Sequence, residues 1–516
     1  MKKEYQKFKE KLKEKKEKEK FAQEFQKKRG KLTAYERINL LVDENSFLEF
    51  EPFSKSFVPF VGKEKERSEG DGVICGIGKI DGREVFLYAQ DFSQIGGSLG
   101  ETHGRKIAQI IREARKCGCP LIGLIDSGGA RIQEGIFGLD RYGEIFRELV
   151  LSSGVIPTIA AILGPSAGGA SYSPGLSDFV LMTKNISTMY ITGPRVIKEA
   201  TGEEISLEDL GGGEAHARKS GCAHFLFETE RDLILGIRKL LSYLPSNNLE
   251  EPPVKKSFFD LFEKESSEIL KILPEKEEKS YDIKKVIDLI FDRNSFLEVH
   301  QNFAQNVVVG FARLRGEVVG IVATQPKIMA GCLDINSSCK IARFVRFCDG
   351  FNIPLINLVD TPGYLPGVKQ EHEGIIRHGA KVLFAYAEAT VPKISLIIRK
   401  AFGGAYIALC SKLLGYDKVL AWPSAQIAVM GKKEAVAVLF RKEISSLEGK
   451  EKKEFIEKKE KEYQEYFLNP WRAAEAGKID QVIDPLKTRE ILSKLIFLLK
   501  RKREGKVPKK HGNIPL

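Results

Sequence analysis

The sequence has little of several features that would assign it to a common class of protein. Its eight cysteines are scattered with no Cys-x-x-Cys pair, so neither a zinc ribbon nor a disulfide framework is indicated. The N-terminus is charged and has no apolar core typical of a signal peptide. We therefore expect a cytoplasmic protein without a metal site, whose cysteines are mostly small buried side chains in a reducing compartment.

One long stretch has no charged residue. Residues 149–177 form an uncharged run of a length that could cross a bilayer. Pro157, Pro165 and Pro174 interrupt the run together with several glycines. This composition predicts a buried strand, loop and helix rather than a membrane helix.

The formal net charge of +12 is concentrated at one end of the chain. Residues 1–20 hold ten Lys and five Glu, an excess of five, which is typical of a solvated helix. No aromatic interleaving or known motif supports the alternative of a nucleic-acid arm, so we predict no nucleic-acid partner. The remaining excess of seven is compatible with binding a phosphorylated small molecule such as a coenzyme A tail.

The sequence contains an internal repeat, in which the motifs of the first half return in the second. Residues 43–49 return as residues 292–298 with six identities in seven, at an offset of 249. Later segments of the first half return in the second half at offsets of 234 and 235. A fixed offset indicates a duplicated unit. We predict two domains, residues 1–256 and residues 257–516, each large enough to bury its own core.

Within each half the apolar runs are short and continuous rather than alternating, and glycines bound them. This pattern indicates strands covered on both faces, as in an α/β fold, with a helix over residues 104–116. The predicted strands are Leu121–Ile125, Thr158–Leu163 and Phe179–Met182 in the first half, and Leu355–Val359, Ile394–Ile398 and Lys418–Trp422 in the second.

In each half, two glycine clusters follow predicted strands. Ligands of parallel sheets bind at these carboxyl ends of the strands. Glycines that enter a helix let the backbone approach a ligand and point free amides at it. Two such amides can form an oxyanion hole, in which each donor typically contributes about 2.7–4 kcal/mol. Recurrence in order and register favours this role over tight packing alone. The clusters are Ser127, Gly128, Gly129, Ala130 and Arg131 with Gly168, Gly169 and Ala170, and Thr361, Pro362, Gly363 and Tyr364 with Gly403, Gly404 and Ala405.

Three other motifs compete with this interpretation. Residues 164–168 fit the Gly-x-Ser-x-Gly elbow of serine hydrolases, with His216 or His224 as a conceivable base for Ser166. The matching position in the second half is Ala401, so the halves share a backbone and not a hydroxyl. Residues 360–363 resemble a nucleotide-switch motif, but no phosphate-binding loop accompanies them. His372 and His378 are six apart, which does not place two zinc ligands on one helical face.

Six segments together resemble one known family. They are Gly96–Gly100, Asp126–Gly135, Ile191–Pro194, Gly331–Asn336, Ala342–Asp349 and Gly374–Ala380. They look like the carboxyltransferase (beta) subunit of biotin-dependent acyl-CoA carboxylases, of the propionyl-CoA carboxylase type, and the resemblance runs from about residue 29 to residue 516. The motifs are long, numerous and in the family's order.

The resemblance implies two tandem crotonase-like domains, the first holding acyl-CoA and the second biotin, in a hexamer whose domains meet across a dimer interface. The amides of residues 168–170 would hold the thioester carbonyl, and those of Gly404 and Ala405, beside Gly403, the ureido oxygen of biotin. Residues 127–131 and 361–364 would line the two pockets. The biotin nitrogen would take the α-proton, which explains the lack of a compelling side-chain acid/base pair. The expected reaction transfers a carboxyl group between carboxybiotin and a short-chain acyl-CoA, propionyl-CoA or acetyl-CoA.

Two matters stay open at this stage. Propionyl-type relatives commonly carry Asp where this chain has Ile407, so the preferred acyl group is not fixed. The alpha subunit of sodium-pumping methylmalonyl-CoA decarboxylases shares the motifs and runs the transfer in reverse.

Biotin would come on a separate carrier protein, with a biotin carboxylase subunit or membrane decarboxylase subunits as further partners, because no Ala-Met-Lys-Met site and no ATP-grasp-like region are present. A non-catalytic scaffold is the remaining alternative.

Overall fold

The computed structural model describes residues 1–58, 69–255, 267–276, 279–505 and 507–516. It divides into two compact units, Met1–Glu250 and Glu251–Leu516. The predicted boundary at residues 256 and 257 lies outside the described residues. Each unit is an α/β fold built on one sheet.

The first unit contains strands β1–β8 and helices α1–α9. The strands are β1 Leu48–Phe50, β2 Val73–Ile80, β3 Arg83–Gln90, β4 Leu121–Ser127, β5 Thr158–Ala167, β6 Phe179–Thr183, β7 Thr188–Tyr190 and β8 Phe225–Phe227. The helices are α1 Lys2–Lys27, α2 Ala34–Leu41, α3 Glu101–Cys117, α4 Ile136–Ser152, α5 Gly169–Leu176, α6 Pro194–Thr201, α7 Leu207–Gly211, α8 Gly213–Ala215 and α9 Glu230–Leu241. Short 3-10 turns cover Ile95–Gly97 and Ile132–Glu134, and a π-helical turn covers His216–Ser220.

The sheet of the first unit has eight strands in the order β1-β2-β3-β4-β5-β6-β8, with β7 paired to β5. An antiparallel meander, β1 to β3, joins parallel strands from β3 onwards. One face of the sheet packs on α3 and α4 through a cluster of buried residues that includes Ile107, Ile111, Tyr142 and Ile145. Helices α2 and α9 contact each other and the sheet through buried leucines and isoleucines of their own.

The second unit contains strands β9–β16 and helices α10–α20. The strands are β9 Leu297–Val299, β10 Val307–Leu314, β11 Glu317–Thr324, β12 Leu355–Thr361, β13 Lys393–Phe402, β14 Lys418–Ala421, β15 Gln426–Ala428 and β16 Gln481–Val482. The helices are α10 Ile269–Ile272, α11 Ile283–Ile290, α12 Ile335–Gly350, α13 Val368–His372, α14 Ile375–Glu388, α15 Gly403–Cys410, α16 Lys432–Leu439, α17 Arg441–Ser446, α18 Gly449–Phe467, α19 Pro470–Glu475 and α20 Thr488–Leu499. Short 3-10 turns cover Met329–Gly331, Lys412–Leu414 and Pro485–Lys487.

The second sheet repeats the first. Its order is β9-β10-β11-β12-β13-β14-β16, and β15 pairs with β13 as β7 pairs with β5. The registers match as well: Phe86 faces Leu121 in the first unit, and Gly320 faces Leu355 in the second, both members shifted by 234. Both units have a register irregularity near the end of the central strand. The duplication read from the sequence is therefore confirmed at the level of strand pairing.

The predicted strands and helix are confirmed. Each of the six apolar runs lies in a parallel strand except for Trp422, which is one residue past the end of β14, and the predicted helix lies within α3. The uncharged run of residues 149–177 forms the end of α4, then β5 and α5, rather than one helix. No helix among the described residues is long and apolar enough to cross a membrane.

Candidate active site

In the first unit, the cluster that follows β4 is held by backbone hydrogen bonds. Gly128 donates its amide to the carbonyl of Gly96 at 2.9 Å, and Leu99 donates to the carbonyl of Gly129 at 2.9 Å. The Ser127 hydroxyl is buried and accepts a hydrogen bond from the Gly129 amide at 3.2 Å. The turn at residues 95–99 and the loop at 127–130 are therefore joined by backbone hydrogen bonds beside the carboxyl end of β4.

Arg131 has a different place from the one implied by the resemblance. Its side chain is only 1% exposed. The guanidinium lies 2.7 Å from the Asp71 carboxylate and 2.8 Å from that of Glu134, and it donates to the Ser98 carbonyl at 2.9 Å. These partners engage the charge inside the protein, so the side chain fixes the loop and presents no charge to a ligand.

The second cluster of the first unit lies where β5 gives way to α5. Gly168 has φ 58° and ψ −124°, a conformation that side chains other than glycine rarely adopt. Its amide donates to the carbonyl of Tyr190 at 2.9 Å, which fixes the turn. Gly169 and Ala170 are the first residues of the helix, so their amides have no acceptor within it. A Cβ on Gly129 would lie 2.8 Å from the Ala167 carbonyl oxygen, which shows that the two clusters are in contact.

The second unit builds the same arrangement after β12 and β13. Leu333 donates its amide to the Gly363 carbonyl at 3.0 Å, and Leu365 donates to the Leu333 carbonyl at 2.7 Å. The Thr361 hydroxyl accepts a hydrogen bond from the Gly363 amide at 3.2 Å. Pro362 lies between them and is partly exposed. This loop is thus tied to the turn that begins at Met329, as its counterpart is tied to the turn at Ile95.

Residues 403–405 open α15, and Gly403 has φ 54° like its counterpart Gly168. The Tyr364 ring lies beside Gly404, where a Cβ would be 3.6 Å from the ring carbons. Burial raises the pKa of Tyr364 to about 12, so the phenol stays protonated at neutral pH. Gly404 is exposed, whereas Ala405 is buried. Ile407 follows on the same helix and is 50% exposed.

A buried aspartate at the end of each central strand was not singled out as a site residue from the sequence. Asp126 lies 2.6 Å from Lys31 and 2.9 Å from Arg37, all three within the first unit. Asp360 accepts hydrogen bonds from the Arg399 side chain at 2.9 Å and from the Lys400 amide at 3.0 Å. The sequence signal for these two aspartates was their separation of 234 residues, which is the offset of the repeat. Because Asp360 precedes Thr361 and Lys400 leads into Gly403, this carboxylate joins the two loops of the second site.

Strained backbone marks the same turns in both units. Ile95 has φ 50°, and Met329 and Ala330 have φ 48° and 53°. Positive φ is rare for side chains other than glycine and is a genuine outlier for a β-branched residue. Such strain persists where surrounding structure imposes it, and it clusters at functional sites.

The serine hydrolase alternative fails on geometry. Ser166 lies inside β5 and is fully buried, rather than at an exposed turn between strand and helix. The His216 ring nitrogens are engaged by the Met189 carbonyl at 2.7 Å and the Ser220 hydroxyl at 2.8 Å. The His224 ring accepts a hydrogen bond from the Val180 amide at 3.1 Å. Neither histidine is thus arranged as a base for Ser166.

His372 and His378, the two histidines weighed as a zinc motif, lie on different helices, α13 and α14. His378 lies beside Cys339, with 3.1 Å between Nδ1 and Sγ. Across the described parts of the chain, no group of three or more His, Cys, Asp or Glu side chains is placed to hold a metal ion.

Similarity to known proteins decides the family. The model for the carboxyl transferase domain matches residues 25–514. The chain belongs to the carboxyl transferase family. It is 51% identical over 493 residues to methylmalonyl-CoA decarboxylase subunit alpha of Veillonella parvula, covering 96% of this chain and 95% of that one. It is also 51% identical over 493 residues to a putative propionyl-CoA carboxylase beta chain of Bacillus subtilis, covering 95% of each.

The solved structures agree. The fold superposes with a TM-score of 0.92 on a transcarboxylase 12S, at 49% identity, covering 96% of this chain and 94% of that one. That structure is described as a hexamer assembly with methylmalonyl-coenzyme A and methylmalonic acid bound. The crotonase-like α/β fold and the assignment as a biotin-dependent acyl-CoA carboxyltransferase are therefore confirmed.

Proposed function

We propose that the chain divides the transfer between its two units, with the acyl-CoA at the site of residues 127–131 and 168–170 and biotin at the site of residues 361–364 and 403–405. The observation that carries this proposal is the paired geometry. In each unit a positive-φ glycine directly follows β5 or β13 and opens a helix whose first amides have no helical partner. Two such sites suit a reaction in which charge develops on two carbonyl oxygens.

On the acyl-CoA side, the amides of Gly169 and Ala170 would donate to the thioester oxygen as the α-carbon becomes an enolate. Gly168 sets the direction of these amides through its turn. Ser127 and Arg131 act from within the protein by holding the loop of Gly128, Gly129 and Ala130 against that turn. Backbone donors need no reorganisation during the reaction, which is the source of their effect.

On the biotin side, the residues present suit a flat, neutral urea ring. Gly404 is exposed and its amide has no partner within the helix, and the Tyr364 ring provides an apolar face beside it. Biotin supplies the transferred carboxyl group and the nitrogen that accepts the α-proton. The amides of Gly404 and Ala405 would donate to the ureido oxygen, while Thr361 and Gly363 keep the loop in place. No side-chain acid or base is then required, in agreement with the buried and paired carboxylates around both sites.

The physiological assembly contains further chains. We propose a homo-hexamer, as described for the transcarboxylase 12S, that receives biotin on a separate carrier protein charged by a biotin carboxylase subunit. The same site serves the reverse direction, and the Veillonella parvula relative is named a decarboxylase subunit. Ile407 is proposed to influence the choice between propionyl and acetyl groups.

The purified chain tests this function directly. Incubation with methylmalonyl-CoA or malonyl-CoA should release propionyl-CoA or acetyl-CoA only when free biotin is present. Ser166→Ala should retain this activity, because Ser166 is buried in β5. An active-site phosphonate that attaches to Ser166 and stops the reaction would instead establish a hydrolase. A folded hexamer that binds no acyl-CoA would indicate a scaffold.

A further inference from the structure

A thiol, an imidazole and two cations lie together in the second unit on helices that the proposed reaction does not use. Cys339 is partly exposed on α12, and His378 is in the first turns of α14. The Cys339 Sγ is 3.1 Å from His378 Nδ1 and 3.7 Å from Lys381 Nζ. Arg377 lies on the other side of the imidazole, 3.4 Å from His378 Nε2.

This environment is the kind that makes a cysteine reactive. Reactive thiols occur in electropositive, partly exposed surroundings beside Lys, Arg or His. Burial and the charges of Lys381 and Arg377 lower the pKa of His378, so the imidazole is neutral at pH 7 and can accept the thiol proton. Lys381 then faces the resulting thiolate with a positive charge.

The cluster is connected to the biotin site through one side chain. Gly379 follows His378, and a Cβ there would be 3.1 Å from the Tyr364 ring. Gly404 lies on the opposite side of the Tyr364 ring, where an added Cβ would be 3.6 Å from the ring carbons. Tyr364 is therefore packed between α14 and the start of α15, and a shift of α14 reaches the amide of Gly404.

We propose that Cys339 is a site of reversible mixed-disulfide formation with small disulfides, and that the adduct slows transfer at the biotin site by displacing α14 and Tyr364. The Cys339 sulfur attacks one sulfur of the disulfide as the thiol proton passes to His378. A new S–S bond forms, the old S–S bond breaks, and the leaving thiolate takes the proton from His378. The cysteine is oxidised and one half of the disulfide is reduced to a thiol, so no other oxidant is needed.

The test follows adduct formation on the intact chain with oxidised glutathione at pH 7, using peptide mass spectrometry to resolve each cysteine. Exposed Cys117, at the end of α3, is the reference. Cys339 should react about tenfold faster than Cys117, because His378 can accept the proton as the thiol attacks and Lys381 faces the negative charge that develops on sulfur. His378→Gln and Lys381→Met should each slow Cys339 and leave Cys117 unchanged. Equal rates at the two cysteines, or no effect of either substitution, would overturn the site.

The effect on transfer rests on the proposed function and has its own readout. The adduct should lower biotin-dependent release of propionyl-CoA several-fold, dithiothreitol should restore it, and Cys339→Ser should be insensitive to the disulfide. An adduct that forms rapidly but leaves transfer unchanged would refute the coupling through Tyr364. Absence of transfer in the untreated chain would refute the proposed function without affecting the labelling rates.

Discussion

The amide of Gly404 can be removed with little disturbance of the fold. Gly404 is the second residue of α15, a position where proline is tolerated because the amide has no partner within the helix. A Cβ at this position would make an ordinary contact, 3.6 Å from the Tyr364 ring. Gly404→Pro therefore removes one donor while α15 and the packing beneath it remain.

The magnitude follows from the proposed role of that donor. Loss of one oxyanion-hole donor typically costs about 2.7–4 kcal/mol, or about 10²–10³ in kcat. We expect this loss in the transfer from methylmalonyl-CoA to biotin. Binding of methylmalonyl-CoA, measured by calorimetry, should be unchanged because it is assigned to the first unit.

Gly404→Ala is the matched control, since it adds the Cβ and keeps the amide. It should retain activity close to that of the unsubstituted chain, and both variants should unfold in urea at the unsubstituted midpoint. Full activity in Gly404→Pro would refute the assignment of this amide. An equal loss in Gly404→Ala would show that crowding, and not the missing donor, is responsible.

Three further predictions concern the choice of acyl group, the buried pair of Asp360 and Arg399, and the stability of the fold in acid. Ile407→Asp should change the ratio of kcat/KM for methylmalonyl-CoA over malonyl-CoA by about tenfold or more, the discrimination that one methyl group in an apolar pocket allows, and an unchanged ratio would show that Ile407 does not influence this choice. Asp360→Asn should lower the free energy of unfolding by about 3–5 kcal/mol because it leaves the Arg399 charge buried without its partner, whereas Asp360→Asn combined with Arg399→Met should recover much of this loss; equal instability of both variants would contradict the pairing. The Arg105 side chain lowers the pKa of Glu51, so this pair stabilises the fold above the usual carboxyl pKa of 4.5 and the contribution disappears as the pH falls through the lower folded-state value. Arg105→Met should therefore weaken the dependence of the urea midpoint on pH below 5, and an unchanged profile would refute this contribution.

Much of the fold could be predicted because its parallel strands are covered on both faces. Such strands are continuous apolar runs, and the six runs in the sequence each lie in one. The antiparallel hairpins β2–β3 and β10–β11 were not identified as strands. Their signals were present as Asp81-Gly82 and Arg315-Gly316, which form the two-residue turns with positive φ at both positions.

The repeated glycines indicated the candidate site, but side-chain roles could not be predicted from spacing. Gly76 and Gly310 recur for packing alone, because a Cβ at either position would strike the backbone of the neighbouring edge strand. Gly168 and Gly403 recur for the turn that opens a helix. Recurrence identifies both kinds of glycine equally, and only the location at the carboxyl end of a parallel strand separates them.

The buried ion pairs show most clearly what could not be predicted from the sequence. Arg131 follows a glycine loop and has the sequence context of a ligand-binding cation, yet Asp71 binds it from 60 residues away in the chain. Asp126 is likewise paired with Arg37 across 89 residues. Such long-range partners depend on the topology of the sheet, which a single sequence does not specify.

The reaction proposed for this chain is direct transfer of a carboxyl group between a coenzyme A ester and biotin. The most direct measurement supplies methylmalonyl-CoA with a labelled carboxyl group to the purified chain and free biotin, and follows both products. We predict that label appears on biotin as propionyl-CoA is formed, one for one at early times, and that neither forms without biotin. Propionyl-CoA released at the same rate without biotin, or no propionyl-CoA from a folded chain that binds the substrate, would contradict it.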